Sequence, residues 1–140
     1  MKVEIMQLKG LTLVAKGETG HWLVMDSPKE EFGGNKGATS PMELLLMATG
    51  GCTAMDVISI LNKMRVPFKR LEVVVEGKQE EEFPKAFKEI EIIYRIYGKG
   101  IPEEKVQRAI ELSQEKYCGV SATVKGKAEI NYRYEIIDEE

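Results

Sequence analysis

The stretch "SPMELLLMATGGCTAMDVISIL", residues 40–61, is apolar over most of its length, yet it holds a Gly-Gly pair, a cysteine and two carboxylates. It opens with a helix start signal. Ser40 supplies a capping hydroxyl, Pro41 suits the first helical position, and Glu43 follows at the spacing of a capping box. The predicted helix runs to about residue 64 and stops before Pro67, because the residue preceding a proline is steered away from the helical region. Between residues 41 and 61 only Glu43 and Asp56 are charged. A helix that is apolar on nearly every face is expected to be buried on nearly every face. A small domain achieves that by borrowing surface from a second copy, so a homodimer is expected.

Working outward, residues 2–8 and 11–16 read as short strands around a turn at Gly10, and "HWLVMD", residues 21–26, as a third. Residues 27–39, "SPKEEFGGNKGAT", form a Gly-rich charged loop. It is not a phosphate loop, because Lys36 is followed by Gly37 rather than by Ser or Thr. Downstream of the helix, residues 71–77 form a strand. Residues 88–97 form another, with Ile90, Ile92, Tyr94 and Ile96 on one face and Glu89, Glu91 and Arg95 on the other. A second helix starts near Pro102, with Glu103 and Glu104 in its favourable first turn. Its inward stripe is Val106, Ala109, Ile110, Ser113 and Tyr117, and it is expected to end at Cys118 with Gly119 as the stop. Residues 128–137 close the chain as a strand with Ile130, Tyr132, Tyr134 and Ile136 inward. The order βββ-α-ββ-α-β predicts an α+β fold: one domain over residues 1–140, with an antiparallel sheet packed on a long buried central helix.

A formal net charge of −3 excludes the basic field that nucleic-acid binding needs. The first ten residues alternate charge and apolar side chains and lack a signal-type apolar core, and apolar runs elsewhere are broken by charge or glycine. The expected location is the cytoplasm, with no membrane partner. Two cysteines far apart and one histidine make a thin donor set without CxxC spacing, so no metal site is expected. No cofactor is called for either.

The chemistry rests on Cys52 and Cys118. Free cysteine often serves as a small buried hydrophobe. However, Gly50-Gly51 costs a helix interior roughly 1 kcal/mol per glycine relative to alanine, which something must offset. The missing side chains permit close approach, either of a neighbouring element or of a substrate to Cys52. Two thiols on helices packed near one sheet can also support peroxidase chemistry: one is oxidised to a sulfenic acid, and the other condenses with it to a disulfide. That requires a lowered thiol pKa. Asp56 lies one helical turn after Cys52 on the same face. If ionised it opposes the thiolate unless a cation intervenes; otherwise it is a buried hydrogen-bonded or ion-paired acid.

The helix motif at 40–61, together with "AIELSQEKYCGVSATV" at 109–124, resembles the OsmC/Ohr family of osmotically inducible and organic hydroperoxide resistance proteins. The likeness spans the whole chain and is strongest to the OsmC-like branch. It implies an intertwined homodimer with active sites at the interface, Cys52 as the peroxidatic thiol, Cys118 as the resolving thiol, an organic hydroperoxide substrate and a lipoyl-type dithiol reductant. The peroxidase branches place a glutamate directly after the helix-opening proline and an arginine in the N-terminal strands. Here Met42 holds the first position, and no arginine precedes Arg65. Glu43 is a cap. His21 is then a candidate for the thiolate-stabilising cation, alongside Asp56 as an acid neighbour. The alternative function is a non-catalytic dimer that binds a small ligand or senses redox state.

Overall fold

The structure is a computed structural model describing all residues, 1–140. It divides into two compact units, Met1–Leu45 and Leu46–Glu140. In the first, β1 (Val3–Lys9), β2 (Thr12–Gly17) and β3 (Trp22–Met25) form an antiparallel meander. Its loop is organised by Asp26, which is buried and accepts hydrogen bonds from Thr12 Oγ1 and from the backbone N–H groups of Ser27, Asn35 and Gly37. Burial alone would raise this carboxyl, but the four donors outweigh it and hold its pKa below the usual aspartate value.

Helix α1 (Pro41–Lys63) starts at the expected cap. Ser40 N–H donates to Glu43 Oε2 at 2.9 Å, and Glu43 N–H donates back to Ser40 Oγ at 3.4 Å. In the second unit, β4 (Phe68–Gln79), β5 (Phe87–Gly98) and β6 (Glu129–Asp138) make a sheet with β5 in the centre. Two helices, α2 (Glu103–Leu112) and α3 (Gly119–Val124), connect β5 to β6. The α+β class stands, and the predicted order holds apart from the additional helix α3 between β5 and β6. The sheets also differ from the sequence expectation. The strands form two three-stranded sheets rather than one, and β6 runs parallel to β5. A long helical crossover separates those strands, and it is the connection that parallel pairing requires.

The core follows the period-two pattern of β5. Ile90, Ile92, Tyr94 and Ile96 are buried on one face, with Val106, Ala109 and Ile110 of α2 also buried. On α1, Thr49, Thr53, Val57 and Leu61 recur every fourth residue as a buried stripe. The rest of α1 corrects the expectation of burial on all sides, since Met47, Met55 and Ile58 stay exposed in the single chain. Tyr117, Tyr132 and Ile136, expected to point inward, are also exposed; the last two lie on the edge strand β6. At 23 residues α1 has the length and apolar composition of a membrane-crossing helix. One stripe of it, Thr49, Thr53, Val57 and Leu61, is buried within the chain.

The Gly-Gly step resolves into two different positions. A Cβ built at Gly50 would sit 2.6 Å from Val75 Cγ2, whereas one at Gly51 meets nothing within 4 Å. Gly50 is therefore what lets α1 lie close on β4. Gly50→Ala is expected to destabilise the protein by about 1–3 kcal/mol through overpacking. Gly51→Ala is expected to leave stability unchanged or raise it by up to about 1 kcal/mol. Urea unfolding of the two variants checks the contrast, and equal effects would contradict it.

Candidate functional site

Cys52 and Asp56 project from the same face of α1, one turn apart. Cys118 lies beyond α2. There the chain passes through a π-helical turn, Ser113–Tyr117, in which Cys118 N–H bonds Ser113 C=O at 2.7 Å. π turns recur at functional sites because the wider turn re-aims side chains. The helical run ends where expected, with Cys118 extended as its C-cap, but Gly119 begins α3 rather than acting as the stop. Cys118 acts as the cap of α3, its Sγ accepting Ser121 N–H at 3.4 Å.

The fold brings Cys52 Sγ, Cys118 Sγ and an Asp56 carboxylate oxygen within 4.8 Å of one another. The two thiols differ in setting. Cys52 is partly open, whereas Cys118 is 3% exposed. Burial pushes the Cys118 thiol above the ordinary cysteine value, and the neighbouring Cys52 pushes it further. Ser121 opposes this through both its N–H and its hydroxyl. The Ser121 hydroxyl is fully buried and has no formed hydrogen bond.

Asp56 is held by an oriented chain of hydroxyls. Ser113 Oγ donates to Asp56 Oδ2 at 2.9 Å, Ser113 Oγ and Thr53 Oγ1 are 2.7 Å apart, and Thr53 Oγ1 and Tyr94 OH are 2.6 Å apart. Gln114 Nε2 donates to both Thr53 Oγ1 and Tyr94 OH at 3.0 Å. A carboxylate only accepts, so Ser113 must donate to it, Thr53 to Ser113, and Tyr94 to Thr53. Burial pushes the Tyr94 phenol up to about 12, which keeps it a donor at all physiological pH values. Asp56 thus takes the role of a hydrogen-bonded acid. None of the chain's ion pairs involves it.

His21 lies in the N-terminal unit, exposed, just before β3. Sequence reasoning passed over Thr53, Tyr94, Gln114 and Ser121 as site residues. Ser113 and Tyr94 were placed on inward faces, and a polar or hydroxyl-bearing residue on an inward stripe is the signal that points to such a chain. Beside Asp56 a cleft of about 420 Å³ opens, lined by Ser59, Ile60, Lys63, Met64, Leu112 and Tyr117.

The contrast between the thiols sets their reactivity order. Iodoacetamide at neutral pH is expected to alkylate Cys52 and leave Cys118 largely unmodified. Cys118 labelling should appear only as pH rises well above the ordinary thiol value of about 8.5. The sign follows from the raised pKa: the fold favours neutral Cys118, and that preference is lost as pH climbs through the folded value. Peptide mapping of the adducts checks this, and faster labelling of Cys118 would contradict it.

Comparison with known proteins identifies the family and the fold. Residues 33–133 match the family model described as OsmC-like protein. The chain is similar to protein YhfA of Escherichia coli strain K12, 37% identical over 139 residues and covering 98% of each chain. It is similar to a solved hypothetical protein from Aquifex aeolicus, 35% identical with TM-score 0.87, covering 99% of this chain and 97% of that one. A Legionella pneumophila structure described as an organic hydroperoxide resistance protein shares the fold at TM-score 0.71 and 18% identity, covering 96% and 97% of the respective chains. With the family model matching most of the chain and relatives of this identity aligned end to end, this chain belongs to the OsmC-like protein family.

Proposed function

We propose that this protein is a thiol-dependent peroxidase that reduces organic hydroperoxides, with Cys52 as the peroxidatic and Cys118 as the resolving cysteine. The observation that carries this reading is the approach of the two sulfurs to within 4.8 Å, one partly open and one buried. A Cys52 thiolate attacks a peroxide oxygen and the O–O bond breaks. The leaving alkoxide takes up the proton that Cys52 released and departs as an alcohol, and Cys52 becomes a sulfenic acid. The Cys118 thiol then attacks that sulfur. The S–O bond breaks, the departing hydroxide takes the Cys118 proton and leaves as water, and a disulfide remains. A dithiol reductant restores both thiols by exchange and is itself oxidised to a disulfide.

Burial suits Cys118 to the second step. It stays protected from direct oxidation until its partner is a sulfenic acid, and the Ser121 donors favour its thiolate at the moment of attack. The cleft beside Asp56 has the volume and mainly apolar lining of a site for a small organic substrate, with Lys63 at its polar edge. The Legionella protein's description as an organic hydroperoxide resistance protein supports the same substrate class. The working form is a homodimer in the cytoplasm, in which the exposed Met47, Met55 and Ile58 of α1 are covered by the second copy.

A second reading has its own support. None of the chain's ion pairs involves Asp56, so its carboxyl stands beside Cys52 without a direct cationic partner. That favours slow thiol chemistry, as in a dimer that senses redox state or binds a small ligand.

Consumption of cumene hydroperoxide with dihydrolipoate as reductant separates the two. The wild type is expected to turn over, Cys52→Ser to lose activity by at least about a hundredfold, and Cys118→Ser to complete one turnover and stall as the sulfenic acid. No consumption by the wild type, or unchanged consumption by Cys52→Ser, would sink the peroxidase reading. Light scattering is expected to give about twice the 15.8 kDa chain mass, and Met55→Glu to shift the population toward that single-chain mass.

A further inference from the structure

We propose that Cys52, Asp56 and Cys118 form a binding site for one soft divalent cation of the zinc class, with the remaining coordination position open. The three donor atoms lie within 4.8 Å of one another, brought from two elements far apart in sequence. In a tetrahedral site with Zn–S near 2.3 Å and Zn–O near 2.0–2.2 Å, ligand atoms stand about 3.5–3.8 Å apart, an inward shift on the order of 1 Å from the outer limit here. Two thiolates and one carboxylate are a set that takes zinc or cadmium in preference to magnesium or calcium. Three protein ligands with an open position are the arrangement of zinc sites that remain accessible.

The surroundings of the three groups supply what such a site needs beyond its ligands. Ligating carboxylates are held by outer hydrogen bonds, and Asp56 is fixed by Ser113, itself locked by Thr53, Tyr94 and Gln114. Cys118 Sγ already accepts Ser121 N–H at 3.4 Å. The Ser121 hydroxyl is 1% exposed and has no hydrogen-bond partner. Asp56 lacks any ion-pair partner in the chain, so a cation at this point supplies the missing countercharge. Cys52 is partly open to solvent, and Asp56 lines the neighbouring cleft.

Binding exchanges the two thiol protons for the metal and moves no electrons. The bound ion occupies both sulfurs, so it masks them from oxidants and alkylating agents. This inference does not depend on the peroxidase reading, because metal binding is read on the reduced protein without any peroxide.

The test is titration of the reduced full-length protein with Cd²⁺, followed by the sulfur-to-cadmium charge-transfer absorption, with Zn²⁺ competition against a chromogenic chelator. The expected result is one ion per chain. The band should fall in both Cys52→Ser and Cys118→Ser, affinity should drop about tenfold or more in Ser113→Ala and further in Asp56→Asn, and bound Zn²⁺ should slow alkylation of Cys52. Asp56→Glu keeps a carboxylate and is expected to retain binding, which separates loss of a ligand from loss of the fold; circular dichroism of each variant checks the fold directly. Absence of saturable binding, binding that persists unchanged in Cys118→Ser, or equal affinity in wild type, Ser113→Ala and Asp56→Asn would overturn the site.

Discussion

The hydrogen bond from Ser113 to Asp56 joins the end of α2 to the middle of α1, and the rest of the site depends on it. It extends through Thr53 to Tyr94 on β5, so a single buried hydroxyl chain ties three elements together. Every hydroxyl in that chain has one direction in which to donate, set by the carboxylate at its end. Leaving one member unpaired in a buried site costs about 1–3 kcal/mol, so the chain resists relative sliding of the helices. The π turn at Ser113–Tyr117 then delivers Cys118 opposite Cys52. The distance between the sulfurs is thus fixed by polar groups that take no part in thiol chemistry themselves.

The same arrangement assigns the thiols different tasks. Cys118 is buried, raised in pKa, and flanked by donors that can take up its charge only once it ionises. Cys52 meets solvent from a helix face where Gly51 leaves open space beside it. Gly50 serves a separate purpose by letting α1 pack closely on β4. An accessible thiol and a protected one a few ångströms apart suit two-step oxidation, and with Asp56 beside them they also suit capture of a soft cation.

What could be read from residue order alone was local. The capping box at Ser40 and Glu43 is a short-range pattern, and it formed as expected. The alternation along β5 gave its buried face correctly, because a period of two leaves little freedom once one face is apolar. Alternation carries no information on strand direction, so the parallel pairing of β6 was invisible. Gly119 resembled a helix stop. Its actual place at the start of α3 follows from Cys118 acting as cap, a role a thiol fills less often than a hydroxyl or carboxylate. The all-round apolar character of α1 promised burial that one chain alone does not provide. Spacing along the sequence also hid the Cys52, Asp56 and Cys118 cluster, because its members meet only through the fold. The two cysteines and Asp56 stood out in the sequence as candidates, and the fold places them together. Thr53, Tyr94, Gln114 and Ser121 did not stand out, because ordinary hydroxyl and amide side chains acquire meaning only from their partners in space.

The account turns on Cys52 and Cys118 acting as a pair. The most direct test is non-reducing peptide mass spectrometry of the protein after one equivalent of an organic hydroperoxide, with and without a thiol-blocking quench. The account predicts a Cys52–Cys118 disulfide within each chain, formed faster than either cysteine overoxidises. Oxidation that stops at Cys52 as a sulfinic or sulfonic acid, with Cys118 still a free thiol, would contradict it.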